Sequence, residues 1–372
     1  MTTETPPPGR RPNGPPTLKD VAAVAGVSYR TVSNVVNGHR YISQATRDKV
    51  EAAIAELDYR PQLAARQLRS GRSNLLTLSV PFVSHPYFAQ LAHAVVGQAE
   101  TFGYDVVIDE TRGILERELR VAGGFRAILT DGILFSPLTI DLERFEAERG
   151  PTPLVLLGER FRSDRIDSVV VDNVGSTSEV TRTMLDDGRT RLAFLGDVER
   201  GTVGAAPADL RLAGFMRALD GAGLSPVRVI PVSQWDQVNP EGDYSRQEGY
   251  DRTSELIASG VPIDGLVCAN DLLAIGALRA FREHGVRVPE DVAVVGWDNT
   301  AEAAFSAPSL TTVAPDMDEL ARLAITAMLR RLDEPDSPPQ TIPAPYSVVR
   351  RDSTAAAHPP RGESVRSTRR SG

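Results

Sequence analysis

The feature that most constrains this chain of 372 residues is a change of hydrophobic period near Arg72. Before it, apolar residues recur at helical spacing in three predicted pieces, 18–25, 28–36 and 43–57. Gly26 breaks the first piece and Ser28 is placed to cap the second, as in a helix-turn-helix bundle. After Arg72, short β-branched or Leu-rich runs alternate with amphipathic segments of roughly ten to fifteen residues, up to about residue 350. Strands are expected at 75–81, 105–109, 132–135, 154–157, 169–171, 192–195, 227–232, 265–268, 292–295 and 341–348. Helices are expected between them at 88–102, 176–187, 209–222, 245–258, 272–284 and 316–333. One sheet cannot comfortably hold that many βα units. The predicted fold class is therefore α/β, two side-by-side doubly wound parallel sheets preceded by an all-α head.

Composition separates head from body. The net charge of −8 divides into a basic amino-terminal stretch and an acidic remainder. Residues 1–73 hold eleven Lys and Arg against six Asp and Glu, and the rest hold 30 against 43. This suggests a small polyanion-binding head on a body with another task. The apolar fraction of 41% excludes wholesale disorder. Residues 1–16 and 353–372 are expected to be disordered tails, and the Pro-rich, polar start has no apolar signal segment. The expected location is the cytoplasm, at the nucleoid, with no membrane span. Cys268, alone of its kind, lies in an apolar run that suits core filling.

In the predicted second helix, Val32, Val35 and Val36 share one face and leave Tyr29, Arg30, Ser33 and Asn34 outward. Arg can bind guanine bidentately and Asn can do the same for adenine, so this face suits a major groove. Ser28, Thr31, His39, Arg40, Tyr41 and Thr46 add donors for phosphate contacts, which position a head without reading sequence. From Pro61, apolar Leu63, Ala64 and Leu68 interleave with cationic Arg66, Arg69 and Arg72 until Gly71. So short a segment is helical only when paired or bound.

These residues also resemble a known family. The stretch Thr17–Gly71, with TLKDVAAVAGVSYRTVSNVVNG, TRDKVEAAIAELDYRP and AARQLRSGRS, is similar to the DNA-binding head and hinge of the LacI/GalR transcription regulators. The resemblance implies that Tyr29, Arg30 and Asn34 read bases and that Leu68 wedges into the minor groove. Many relatives carry Arg where this chain has Asn34, which implies a different operator at that pair. The expected divisions are a head at 17–60, a hinge at 61–73 and a body at 74–352. Within the body, 74–172 with 299–330 and 173–298 with 331–352 are expected to form the two halves.

In doubly wound sheets, ligands bind beyond the carboxyl ends of strands. Three such loops are chemically suited to polyols: Ser84-His85-Pro86-Tyr87-Phe88, Asn270-Asp271, and Gly296-Trp297-Asp298-Asn299. Carboxylates and guanidinium groups bind vicinal hydroxyls, and an aromatic face covers the C–H side of a sugar ring. The body resembles the same family and, more distantly, periplasmic sugar-binding proteins, through DGILFSP, VDNVGS, RLAGFMRAL, GDYSRQEGY, CANDLLAIGALRAFREHGVRVPEDVAVVGWDNT and PSLTTV. The resemblance implies that Arg211 and Asp271 hydrogen-bond an effector, Tyr244 stacks on it, and Phe88 with Asp298 lines the pocket. Structural roles stand beside these: Asp271 as a helix cap, Phe88 as core, Arg211 paired with Asp209. His85 stands where relatives often carry Asn and is given no role. The loop from Gly196 to Leu210 is longer than in many relatives, so the resemblance does not carry the effector's identity.

Phosphate-loop, zinc-protease and nucleophile-elbow motifs are absent from the sequence, and five scattered histidines suit no metal cluster. The reading is a non-enzymatic, cofactor-free homodimeric repressor of double-stranded operator DNA, released by a carbohydrate effector. Alternatives are corepression by a purine-like or phosphorylated metabolite, and a sugar-processing enzyme. A dimer is expected over a tetramer because no coiled-coil pattern follows residue 351.

Overall fold

The computed structural model of the chain describes residues 16–36, 41–59, 72–124, 130–161, 163–198, 207–232 and 244–354. They fall into two units divided between Ser73 and Asn74. In the first, helices α1 (Leu18–Ala25), α2 (Tyr29–Val36) and α3 (Gln44–Glu56) close around Val21, Val32, Val35, Val50 and Tyr59. Local chemistry sets their ends. The Thr17 N–H donates to Asp20 Oδ2 at 2.7 Å in a capping box, and Gly26 ends α1 at a φ of 64° that other residues adopt at a cost. Ser28 Oγ accepts from the Thr31 N–H at 3.1 Å to start α2, as the sequence implies.

The second unit holds two six-stranded sheets. The first lobe contains β1 (Leu75–Val80), β2 (Asp105–Glu110), β3 (Gly132–Phe135), β4 (Leu154–Leu157), β5 (Asp167–Val171) and β11 (Thr341–Ala344), in the order β11-β5-β4-β3-β1-β2. All its ladders are parallel. The second lobe contains β6 (Leu192–Val198), β7 (Arg228–Val232), β8 (Gly265–Cys268), β9 (Ala293–Trp297), β10 (Thr311–Pro315) and β12 (Tyr346–Val349), in the order β12-β10-β9-β8-β6-β7. Only β12 runs antiparallel there, against β10. The doubly wound architecture expected from the alternation is present. Its central strands are buried on both faces, which is why they read as continuous apolar runs.

Two expectations about the carboxyl-terminal part are corrected. The run at 341–348 is not one strand: it breaks at Pro345, which has no N–H to continue a ladder and whose carbonyl accepts from Asp316 at 3.0 Å. β11 therefore joins the first sheet, where edge placement tolerates Pro343, and β12 joins the second. The strand at 311–315, absent from the sequence reading, lies in the second sheet, whereas 299–330 was expected in the first half.

The backbone crosses between lobes at Asp172, Asp316 and Pro345. Asp172 caps α7 (Asn173–Asp186), accepting from Gly175 at 2.7 Å, and Asp316 caps α12 (Met317–Asp333), accepting from Glu319 at 3.0 Å. The crossings at Asp172 and Asp316 thus end in fixed helix starts, and the one at Pro345 leads into β12. Fully buried Asp167 pairs with Arg330 and Arg331 of α12 and ties that helix to the first sheet. In each sheet the order reverses around one strand, β1 between β2 and β3, and β6 between β7 and β8. The carboxyl ends of these strands open the crevices where doubly wound folds bind ligands.

Candidate functional site

On α2 the valines face the core, and Tyr29 and Arg30 are exposed. Thr31 and Asn34 are half-buried. Ser33 departs from the outward face expected of it: the buried arc of α2 comprises Val32, Ser33 and Val35, and a residue one position after Val32 lies close enough round the helix to be included. Ser28 is exposed and spends its hydroxyl on the helix start. His39, Leu68 and Arg69 lie outside the described residues, as does the hinge from Pro61 to Gly71.

In the body, Arg211 is the centre. It stands on α8 (Pro207–Gly221) and is fixed on three sides. Its Nε donates to Asn173 Oδ1 at 2.8 Å, its Nη1 donates to the Ala269 carbonyl at 2.6 Å, and its guanidinium carbon lies 3.5 Å from the centroid of the Trp297 ring. The fourth direction leads to Asp298, whose Oδ1 is 3.9 Å from Arg211 Nη1. That separation is long for a hydrogen bond.

Asp298 follows β9 with a φ of 120°, a region that costs a non-glycine residue energy. Its side chain is 5% exposed, and burial pushes its carboxyl well above the usual range against the pull of Arg211. Among the described residues, no hydrogen bond reaches this carboxylate.

Asp271 behaves differently, with both carboxylate oxygens already engaged inside the protein. It is fully buried, Oδ1 accepting from Thr312 Oγ1 at 2.6 Å and Oδ2 from the Thr300 N–H at 2.7 Å. Burial lifts its pKa to about 6, and those same bonds oppose the rise. Oδ2 thus holds the loop that carries Asp298, and Oδ1 ties Asp271 to β10. Its neighbour Asn270 is the helix cap, its Oδ1 accepting from Leu273 at 2.9 Å ahead of α10 (Asp271–Glu283). Asn270 Nδ2 donates to the Tyr244 carbonyl at 3.1 Å and lies 3.4 Å from His85 Nε2 across the lobes. Tyr244 donates its hydroxyl to the Gly196 carbonyl at 3.2 Å.

From the first lobe come an aromatic group and a carboxylate. Phe88, on α4 (Pro86–Thr101), is half-buried, with ring centroids 5.1 Å from Tyr87 and 5.7 Å from His85, both edge to face. Glu159 accepts from the Val171 N–H and, at Oε2, from Asn173 Nδ2 at 2.7 Å. Asn173 therefore relays between Glu159 of one lobe and Arg211 of the other. Burial raises the Glu159 pKa to about 7.

The structure brings together Arg211, Asp298, Tyr244 and Phe88, and adds Asn173, Trp297, Glu159, Asn270 and His85, to which the sequence reading gave no role. His85, Trp297 and Asn270 sit in the strand-end loops already singled out. For Asn173 and Glu159, no sequence signal links two polar residues on different elements. Among the described residues, no cluster of His, Cys, Asp or Glu has the arrangement of a metal site, and no helix is long and apolar enough to cross a membrane.

Comparison with known proteins agrees with this arrangement. Residues 17–62 match the family described as bacterial regulatory proteins of the lacI family, and residues 181–354 match the periplasmic binding protein-like domain. The ribose operon repressor of Escherichia coli K12 is 32% identical over 321 residues, covering 86% of this chain and 94% of that protein. The lac repressor dimer bound to operator and the anti-inducer ONPF superposes with a TM-score of 0.77 at 29% identity, covering 92% of this chain and 100% of that one. The complex of the transcriptional regulator CelR with cellobiose gives a TM-score of 0.65 at 28% identity, with 91% and 99% covered. A helical head with an outward Arg, joined to a two-lobed body with a polar crevice, is thus found in a chain that belongs to the LacI family of DNA-binding transcriptional repressors controlled by small-molecule effectors.

Proposed function

We propose that this protein is a homodimeric repressor that leaves a palindromic operator when a carbohydrate occupies the crevice between its lobes. The observation that carries this reading is the Arg211–Asp298 pair: an anchored guanidinium facing a buried carboxylate that receives no hydrogen bond among the described residues. Vicinal hydroxyls satisfy both at once, donating to the carboxylate and accepting from the guanidinium. Phe88 and Tyr244 supply aromatic surface beside them. Asp271 holds the Asp298 loop and does not touch the ligand. The relatives support a sugar: the regulators named above are a ribose operon repressor and one complexed with cellobiose.

In the head, Tyr29, Arg30 and Asn34 read bases, and Ser28, Thr31 and His39 position the head on phosphates. Leu68 and Arg69 act in the minor groove. A symmetric pair of heads matches a palindrome and doubles the base contacts, an assembly that the operator-bound lac repressor dimer supports. The ligand acts by favouring one lobe arrangement; a coupling of about 1–3 kcal/mol shifts operator affinity about 5- to 150-fold. A thermal-shift screen of sugars followed by operator titration tests this. A sugar that raises Tm and weakens operator binding is expected, and tight specific operator binding that no sugar alters would overturn it.

A further inference from the structure

Asn270 Nδ2 lies against His85 Nε2 across the lobes, a contact whose donor and acceptor roles are set by the His85 tautomer. His85 Nδ1 accepts from the Tyr87 N–H at 3.3 Å at the start of α4. Burial, reinforced by Arg211 and Arg246, lowers the His85 pKa to about 4, so the ring is neutral near pH 7. A neutral imidazole that accepts at Nδ1 carries its proton on Nε2. That Nε2 lies 3.4 Å from Asn270 Nδ2. Asn270 is held against turning over: its Oδ1 accepts from Leu273 at 2.9 Å and its Nδ2 donates to the Tyr244 carbonyl at 3.1 Å. An N–H of one lobe therefore confronts an N–H of the other, with no acceptor between them among the described residues.

The charges around this seam favour a particular acceptor. Arg211 and Arg246 act on His85 as cations, and the opposing Glu302 is already paired with Arg246. We infer that the effector carries an oxyanion, a carboxylate or phosphate oxygen, that bridges His85 Nε2 and Asn270 Nδ2 across the lobes. This rests on the reading of the crevice as the effector site and narrows its ligand to a sugar acid or sugar phosphate. Without the anion, the facing donors disfavour closure. With it they become two charge-assisted hydrogen bonds, which makes lobe closure depend on the ligand.

The test uses the full chain and simple anions. Thermal shift and calorimetry with inorganic phosphate and with acetate, against potassium chloride at equal ionic strength, should give a saturable response to at least one oxyanion. His85→Phe keeps a ring against Phe88 and removes the donor. Asn270→Asp keeps the cap oxygen on Leu273 and turns the facing donor into an acceptor. Each should weaken anion binding at least about tenfold. If His85→Phe does not fold, Asn270→Asp decides alone. Response to phosphate only indicates a phosphorylated ligand, and response to acetate as well indicates a carboxylate. No saturable response to either anion, or equal affinity in the folded variants, overturns the inference. Titration with palindromic and random duplexes separates the two failures. Loss of the anion response with sequence-specific DNA binding intact removes this inference and leaves the regulator reading standing.

Discussion

The guanidinium carbon of Arg211 lies 3.5 Å from the centroid of the Trp297 ring, and the Trp297 indole N–H donates to Ser176 Oγ at 3.2 Å. The ring is buried and fixed, so the cation above it keeps one plane. Asn173 and Ala269 take two edges of the guanidinium, and on the side toward Asp298 the carboxylate stands 3.9 Å from Nη1.

Lysine keeps the charge but cannot reproduce this fork and stack. Arg211→Lys should weaken effector binding by about 1.5–3 kcal/mol, or one to two decades. Calorimetry with the ligand from the sugar screen measures it. Unchanged affinity would remove Arg211 from the site.

Asp271→Ala leaves Thr312 Oγ1 and the Thr300 N–H without their buried acceptor. The expected loss is about 2–4 kcal/mol of stability from two unmade hydrogen bonds, with the Asp298 loop released. Urea unfolding checks it, and a near-neutral result would show that the loop is held by other means.

Glu159 links the crevice to pH. Its ordinary pKa is 4.5 and in the folded chain burial raises it to about 7. The folded state then binds this proton more tightly than the unfolded state, so the contribution to stability falls as pH rises from about 4.5 to about 7. Glu159→Gln should flatten that part of the pH profile. Urea midpoints measured across the window decide it, and equal slopes in the two proteins would contradict the assignment.

In the head, Arg30→Ala should cost about 1–3 kcal/mol on the preferred operator and much less on random duplexes. Selection of bound sequences from a random pool is the measurement. Equal losses on all sequences would mark Arg30 as a phosphate contact.

Much of this was legible in advance because it depends on local pattern. Alternation of β-branched runs with amphipathic segments gives two wound sheets, the strand-end rule leads to the loops that hold Phe88 and Asp298, and the family resemblance adds Arg211 and Tyr244. What escaped depends on geometry that spacing does not encode. Asn270 and Asp271 are adjacent, yet one side chain reaches the lobe seam and the other is buried beneath the Asp298 loop. The break at Pro345 sends neighbouring strands to different sheets, and the pull of each sheet is a tertiary effect. The Glu159–Asn173–Arg211 relay joins residues from three elements, so no single stretch of sequence shows it.

The central claim is that occupancy of the crevice at Arg211 and Asp298 sets the hold of the head on DNA. Its most direct test is the operator Kd of the full chain with and without the screened ligand, in wild type and in Asp298→Ala. The account predicts that the ligand weakens wild-type binding by about 5- to 150-fold and leaves the Asp298→Ala value unmoved. A ligand that binds with the stoichiometry of the crevice yet leaves the wild-type operator Kd unchanged would contradict it.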